Sequence, residues 1–296
     1  MITYRLLRHR VATYNYPLVS IKEKTMKRIQ LIILLFCLLG CNKYEYDILG
    51  TTEKFTIESS VINDEFTIFV YLPPDYDGTN NEYPLIIGLD GDNEFETMSG
   101  IVSNEINQGN IPDVIFVGIG YGSEKLNDEK RNRDYTPTIT EDYDISGGAA
   151  DFYEFIQVEL IPQLEDTYAI NPFNTKTLMG HSFGGLFTLF ALFQERENNP
   201  FNKFIPVASS FWYDSGVLFE FEENYAQAHD DLAVKVYTTM GSLEGGVMIA
   251  SFAEMNERLE NREFQNLDLY SELLEKFGHS RSDYATYEKA LSYVFN

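Results

Sequence analysis

The chain has 296 residues, and its 46 acidic residues outnumber its 22 basic residues, which gives a formal charge of −24 at neutral pH. This balance excludes nucleic acid as a partner, because no basic stripe is available to replace the counterions of phosphates. The two cysteines, Cys37 and Cys41, both lie near the N-terminus, so the rest of the chain has no pair to bridge and depends on a hydrophobic core.

The N-terminal segment is typical of an export signal. Basic residues at Lys27 and Arg28 precede an apolar run over 29–39, which ends in Gly40 and Cys41. The run is shorter than the about 20 residues that span a bilayer. It resembles a bacterial lipoprotein signal, so we expect Met26 to be the true start and Cys41 to carry a lipid. A plain signal peptide cut elsewhere, or an apolar core helix, would instead leave Cys41 as a free thiol.

This interpretation divides the chain into an upstream extension and signal over 1–40, a tether over 41–54 and a folded domain over 55–296. Removal of residues 1–40 takes away seven basic residues and one acidic residue, which leaves 15 basic and 45 acidic residues and a charge of −30. Because that charge repels anionic lipids, we expect the lipid alone to hold the protein on a membrane of the bacterial cell envelope, on the periplasmic or outer-membrane face.

Strand-like and helix-like segments alternate along the proposed domain. The first two strands form a hairpin, and the later apolar runs are typical of strands buried on both faces. A polar loop is predicted over 120–148, and the acidic run 222–231 is interpreted as a solvated loop. The pattern predicts a mostly parallel eight-stranded sheet with helices on both faces, an α/β fold. Strands are predicted at 55–59, 65–71, 84–89, 113–119, 176–179, 203–208, 233–239 and 267–274, and helices at 95–108, 149–168, 186–193, 247–262 and 282–295.

A Gly-x-Ser-x-Gly sequence, Gly180 to Gly184, lies between a predicted strand and a predicted helix. Such sequences also occur in ordinary turns, but at a strand-to-helix corner they form a nucleophile elbow. We expect a Cβ at Gly180 or Gly184 to clash with the close backbone there. The elbow would expose the Ser182 hydroxyl and place the N–H of Phe183 where an oxyanion would form.

A serine nucleophile needs a histidine base, and the chain has four histidines. His9 lies in the segment that we expect to be removed, His181 is expected to point away from Ser182, and His229 lies in the acidic run. His279 follows the last predicted strand, as the usual order of nucleophile, acid and histidine on this fold requires. We therefore predict that His279 is the base.

The acid and the second oxyanion donor are predicted from their places after strands. Glu244 follows the seventh strand and is our first choice for the acid, and Asp214, after the sixth, is the second; either could instead cap a helix. The N–H of Asp92 is the candidate second donor, because Gly91 lets the backbone approach closely. Asp90 and Asp92 alone make a weak metal site, so we predict no metal and no cofactor.

Several motifs occur together in an order that is specific. They are VYLPPDYD, LDGD, RNRDYTP, GHSFGGLF and SSFWYD. Together they resemble the esterase family of α/β-hydrolases, which includes esterase D-like enzymes and the esterases that open enterobactin-type siderophores. The resemblance runs from about residue 55 to the end. It implies an α/β-hydrolase fold and a carboxylic-ester hydrolase with Ser182 as nucleophile and His279 as base.

The siderophore branch of that family implies further residues. By position, Arg131 would face the substrate, although it could instead be a loop arginine paired with Asp134 or Glu129. Where the family has a proline-serine pair and two tryptophans, this chain has Ser-Ser-Phe followed by Trp212 and Tyr213, which keep an aromatic wall. Some members of the branch work with a Ser-His dyad, so the identity of the acid stays open.

The expected function is a serine carboxylic-ester hydrolase that acts through an acyl-enzyme on a small-molecule ester. Siderophore-type or aromatic acyl esters are favoured, because an arginine beside aromatic rings suits catecholate or phenolic groups. Two alternatives stay open. One is an acetyl or feruloyl esterase that acts on a polysaccharide, and the other is a binding lipoprotein that keeps the hydrolase fold without turnover.

Overall fold

The protein has eight strands and eight α-helices in the residues that the computed structural model describes, which are 46–79, 83–123, 128–172 and 176–296. The predicted signal segment and Cys41 lie outside these residues. The strands are Thr51–Ser59 (β1), Asp64–Leu72 (β2), Leu85–Gly88 (β3), Ile115–Gly120 (β4), Lys176–His181 (β5), Phe201–Val207 (β6), Asp231–Gly241 (β7) and Gln265–Leu274 (β8). The helices are Gly91–Asn107 (α1), Asp128–Tyr135 (α2), Ala149–Phe155 (α3), Ile161–Thr167 (α4), Phe183–Leu192 (α5), Leu218–Ala228 (α6), Gly246–Asn261 (α7) and Ser282–Phe295 (α8).

All eight strands belong to one sheet with the order β1-β2-β4-β3-β5-β6-β7-β8. The β1–β2 and β2–β4 pairs are antiparallel, and every other neighbouring pair is parallel. The mostly parallel sheet and the N-terminal hairpin are therefore confirmed. Parallel strands bring their carboxyl ends to one edge of the sheet, which is where ligand sites of such folds lie.

The central strands are covered on both faces. Every residue of β3 and β4 is buried, and this happens only when helices pack on each side of the sheet. Helix α5 packs against β5 and β6, while α1 and α8 pack against each other. Helices α3 and α4 are joined by a π-helical turn at Ile156–Leu160, so the predicted helix over 149–168 is present with one irregular turn. Among the helices in the described parts of the chain, none has the length and apolar character to cross a bilayer.

The first correction concerns the predicted boundary at residue 55, which falls inside β1. The segment before β1 is also held on the domain, because the N–H of Leu49 donates to Ser103 Oγ at 2.8 Å and the Tyr71 hydroxyl donates to the Leu49 carbonyl at 2.8 Å. The C-terminal part of the predicted tether is therefore part of the fold. The polar composition of this segment gave no sign of these contacts, since both of them use backbone groups of Leu49.

Two segments that were interpreted as polar loops contain helices. Helix α2 lies inside the predicted loop 120–148, and most of the acidic run 222–231 belongs to α6 and β7. Glu222, in α6, is fully buried and forms ion pairs with Arg262 at 2.8 Å and Arg258 at 3.4 Å. A charged residue of this kind is buried only when it is paired. Arg258 lies in α7 and Arg262 directly follows that helix, so both partners are far along the chain from Glu222. The run itself carries no sign of that pairing.

Candidate active site

The serine of the Gly-x-Ser-x-Gly sequence lies at the corner between β5 and α5. Ser182 has φ 62° and ψ −116°, a backbone conformation that non-glycine residues seldom adopt and that marks a functional turn. A Cβ at Gly180 would lie 2.5 Å from the Gly184 carbonyl oxygen, so glycine is required there as predicted. At Gly184 the nearest atom would be at an ordinary 3.4 Å, so that part of the prediction is wrong. The second tight position is Gly185, where a Cβ would lie 2.7 Å from a β6 carbonyl oxygen.

Three predicted residues meet at the carboxyl edge of the sheet. Ser182 Oγ lies 2.9 Å from His279 Nε2, and His279 Nδ1 lies 2.9 Å from Glu244 Oε2. A carboxylate can only accept, so Nδ1 carries the ring proton and Nε2 is left to accept the serine proton. The arrangement is that of a nucleophile, a base and an acid that orients the base.

The loops after β7 and β8 are tied to each other, and this fixes the acid beside the histidine. The N–H of Ser242 donates to the Leu274 carbonyl and that of Leu243 donates to the Phe277 carbonyl, both at 2.9 Å. The second oxygen of Glu244 accepts the N–H of the last residue of β7 at 3.0 Å. With 2% of its side chain exposed, Glu244 is held in one orientation.

The alternatives for the acid and the base lie elsewhere. Asp214 is exposed in a short helical turn after β6 with φ 42°, and no hydrogen bond from it to His279 is found in the described structure. His229 follows α6, and its Nε2 lies 3.2 Å from a Glu195 carboxylate oxygen. The geometry therefore favours Glu244 over Asp214 and His279 over His229.

The His181 side chain contacts the loop that carries His279, and its expected direction away from Ser182 stays a prediction. Its Nε2 lies 2.7 Å from the His279 carbonyl oxygen, and the two imidazole rings are 4.7 Å apart. Burial, together with the neighbouring His279, lowers the pKa of His181 to about 4, so its ring is neutral at pH 7. Since a carbonyl oxygen only accepts, the proton of the His181 ring lies on Nε2, and this N–H donates to the His279 carbonyl. His181 thus fastens the His279 loop to the elbow, a contact that no sequence pattern signalled.

The two candidate oxyanion donors lie at helix starts. Phe183 is the first residue of α5 and Asp92 the second residue of α1, and N–H groups in a first turn have no partner within their own helix. A Cβ at Gly91 would lie 2.9 Å from a backbone carbon of Gly118, so the predicted close approach of the backbone is present. Two such N–H groups beside a serine would suit a developing negative charge.

The carboxylates of Asp90 and Asp92 are both occupied. Asp92 accepts the backbone N–H groups of Tyr121 and Gly122, and Asp90 is held by Arg131. Among the described residues, no group of three or more His, Cys, Asp or Glu side chains has the arrangement of a metal site.

The side chain of Arg131 is buried against the elbow. Its Nε and Nη2 donate to the two oxygens of Asp90 at 2.8 and 3.1 Å, and Nη2 also donates to the His181 carbonyl at 3.1 Å. Only 11% of its side chain is exposed. Neither of the partners considered from the sequence is the observed one, since Asp134 pairs with Arg133. A contact between Arg131 and a substrate stays a prediction.

The two aromatic residues after β6 differ in exposure. Trp212 is 46% exposed, with its ring 5.7 Å from that of Phe183. Tyr213 is 1% exposed and its hydroxyl donates to the Thr138 carbonyl at 2.5 Å, so the expected aromatic wall consists of Trp212, and Tyr213 supports a loop from within. A neighbour that sequence reasoning missed is Ser210, whose Oγ lies 3.5 Å from Ser182 Oγ.

The fold and the site together define an α/β-hydrolase. The sheet is mostly parallel, and the serine follows β5, the acid follows β7 and the histidine follows β8, which is the chain order of that class. A family model described as "Putative esterase" matches residues 59–292. The chain therefore belongs to this esterase family of α/β-hydrolases.

Known proteins similar to the chain include several siderophore esterases. The chain is 33% identical over 168 residues to the ferri-bacillibactin esterase BesA of Bacillus subtilis, and this match covers 48% of the chain and 56% of BesA. The crystal structure of a BES protein from Bacillus cereus superposes with a TM-score of 0.76 at 28% identity, over 87% of this chain and 99% of that one. An IroE-like serine hydrolase from Shewanella oneidensis, at 23% identity and a TM-score of 0.75 over 83% and 80% of the two chains, shares the fold.

Proposed function

We propose that the protein is a serine carboxylic-ester hydrolase that works through an acyl-enzyme. The observation that carries the proposal is the unbroken chain of hydrogen bonds from Ser182 through His279 to Glu244, with both distances at 2.9 Å. The elbow holds the serine in a conformation that exposes its hydroxyl, and two loops tied to each other hold the acid. A protein that only binds esters has no need of this arrangement.

The proposed reaction has two halves. Ser182 Oγ attacks the ester carbonyl carbon while its proton passes to His279 Nε2, and the carboxylate of Glu244 stabilises the resulting imidazolium. The N–H groups of Phe183 and Asp92 bind the oxyanion. His279 then gives the proton to the leaving alcohol oxygen, which breaks the ester bond and leaves an acyl group on Ser182. Water, losing its proton to His279, attacks the acyl carbonyl; collapse releases the carboxylic acid and returns the proton to the serine oxygen.

A simple ester tests the reaction itself. Wild-type protein should hydrolyse p-nitrophenyl acetate, and Ser182→Ala should lose that activity while keeping the folded circular-dichroism spectrum. Ser210→Ala is the matched control, because it removes a neighbouring hydroxyl that has no part in the proposed steps, and it should retain activity. If folded wild type, like Ser182→Ala, hydrolyses the ester no faster than buffer alone, the result would favour a binding protein over an enzyme.

For the substrate, we propose a siderophore-type ester with catecholate groups. The proposal is supported by the names of relatives, since BesA is called a ferri-bacillibactin esterase and similar chains are called siderophore hydrolases. It is also supported by Trp212, an exposed aromatic surface beside the elbow that could stack on a catechol ring. A panel of catecholate trilactones, feruloyl esters and acetyl esters tests it. Preference for acetylated or feruloylated polysaccharide would overturn it.

We further propose that the protein is exported and anchored by a lipid on Cys41. The support is the basic and apolar sequence that ends in Gly40 and Cys41, with a domain too acidic to adsorb to anionic lipids by charge. Expression of the full chain in a bacterium with labelled palmitate tests this. Labelling that is lost in Cys41→Ser supports the anchor, whereas an unlabelled and freely released wild-type protein contradicts it.

A further inference from the structure

The elbow and the start of α1, which follows β3, carry the two candidate oxyanion donors, and one buried side chain bridges these two segments. Arg131, on α2, binds both oxygens of Asp90, which immediately precedes α1. The same guanidinium donates to the carbonyl of His181, the residue before the nucleophile. Its Cζ also lies 5.6 Å from the centre of the Phe183 ring. A single planar group therefore forms hydrogen bonds with the residues two positions before each of the candidate oxyanion donors, Asp92 and Phe183.

Asp90 itself has an unusual backbone conformation. It adopts φ 58° and ψ 36°, the left-handed region, and its carbonyl accepts the N–H groups of Asn93 and Glu94 in the first turn of α1. Its backbone N–H donates to the Tyr135 hydroxyl at 3.1 Å. Left-handed conformations cost free energy for residues other than glycine and persist when the surroundings hold them. The ion pair with Arg131 is one of the contacts that hold this one.

The charge of Asp90 matters as well as its position. A Cβ built on Gly184 would lie 3.5 Å from Asp90 Oδ2, so the carboxylate reaches the first turn of α5, where the oxyanion would form. An unpaired carboxylate there would repel the negative charge of the tetrahedral intermediate. Arg131 cancels that charge, and its fork does so in a fixed orientation that a lysine cannot reproduce.

We infer that Arg131 is a positioning residue: it sets the geometry of the oxyanion hole and cancels the charge of Asp90, and it acts through these contacts without touching the substrate. This inference rests on the proposed function. It differs from the role that the family resemblance implies for the same position. The burial of the side chain and the use of Nε and Nη2 by protein acceptors favour the positioning role.

The experiment compares Arg131→Met and Arg131→Lys with Arg133→Met. Arg133 is a matched control, because it lies on the same helix and forms a comparable ion pair with Asp134 and Asp64, away from the elbow. Each variant is assayed with p-nitrophenyl acetate, with a catecholate ester and with a thionoester, whose sulfur is a poor acceptor for oxyanion donors. Thermal unfolding checks that each variant is folded, and Arg131→Lys serves if Arg131→Met is not.

We expect both Arg131 variants to lose about 10²-fold in kcat on the two oxygen esters alike, with KM changed little, because misplaced oxyanion donors cost that much. The ester-to-thionoester rate ratio should fall by a similar factor, whereas Arg133→Met should keep wild-type rates and ratio. Adding Asp90→Asn to Arg131→Met should restore part of the rate by removing the unpaired charge.

Two results would overturn the inference. A loss confined to the catecholate ester, mainly in KM, would make Arg131 a substrate-binding residue. A loss of rate with an unchanged ester-to-thionoester ratio would show that the side chain only supports the fold. Both differ from a failure of the proposed function, in which the wild-type protein itself would hydrolyse no ester.

Discussion

Replacement of Glu244 by glutamine is the most informative perturbation of the triad. The carboxylate makes two hydrogen bonds, with His279 Nδ1 at 2.9 Å and with the Gly241 N–H at 3.0 Å, and it is almost fully buried. A glutamine side chain has nearly the same shape, but only one of its two polar groups can accept. Since the Gly241 N–H requires an acceptor, the amide NH₂ would face His279.

That orientation of the amide would change the tautomer of His279. An NH₂ group donates, so Nδ1 would have to accept, and the ring proton would move to Nε2. Nε2 could then no longer take the proton of Ser182. Glu244→Gln should therefore lower kcat by about 10⁴-fold, the cost of a wrong tautomer in a triad, with KM and thermal stability near wild type.

The assay is steady-state hydrolysis of p-nitrophenyl acetate at pH 8, with Asp214→Asn as the matched control. Asp214 was the second candidate for the acid, is exposed and lies after β6, so its replacement should leave kcat unchanged. A Glu244→Gln variant within tenfold of wild type would refute the reasoning and favour a Ser-His dyad. A comparable loss in Asp214→Asn would mean that the acid is Asp214.

Two further predictions concern Glu94 and His181. Burial, reinforced by Asp283, raises the pKa of Glu94 from 4.5 to about 7, so the folded protein binds more protons than the unfolded chain and stability falls as pH rises between these values. The free energy of unfolding of Glu94→Gln, measured by urea denaturation, should therefore exceed that of wild type by up to about 3 kcal/mol at pH 8 and should not exceed it at pH 4. An equal gain at both pH values would contradict this reasoning. His181→Phe should lower kcat about tenfold with little change in KM, because the His279 loop loses its hydrogen bond to the elbow. His181→Gln should recover part of the loss by supplying an N–H. An unchanged kcat in His181→Phe would show that this hydrogen bond does not position His279 for catalysis.

The fold was accessible from the sequence because its strands are uninterrupted apolar runs. The strands β3, β4 and β5 are buried almost throughout, so local hydrophobicity alone indicates where they lie. The positions of Ser182 and His279 followed from chain order on that sheet. Both inferences use only local patterns and the known order of one fold.

The pairings of buried charges could not be found in the same way. Arg131 and Asp90 are 41 positions apart, and Glu222 and Arg262 are 40 positions apart. Such pairs leave no periodic signal, because each residue alone resembles a solvated surface charge. The contact between His181 and the His279 loop was missed for a related reason, since the partner of the imidazole is a backbone carbonyl, which every residue has. Side-chain partners across the fold are thus set by packing that a single sequence does not display.

The most direct test of the central claim is covalent labelling of the wild-type protein with a fluorophosphonate, followed by mass spectrometry of its peptides. A serine made nucleophilic by a histidine reacts with such a probe, so the account predicts one adduct, on the peptide that contains Ser182. The label should be lost in Ser182→Ala and strongly slowed in His279→Ala. A folded wild-type protein that takes up no label, or that carries it on another residue, would contradict the proposed chemistry.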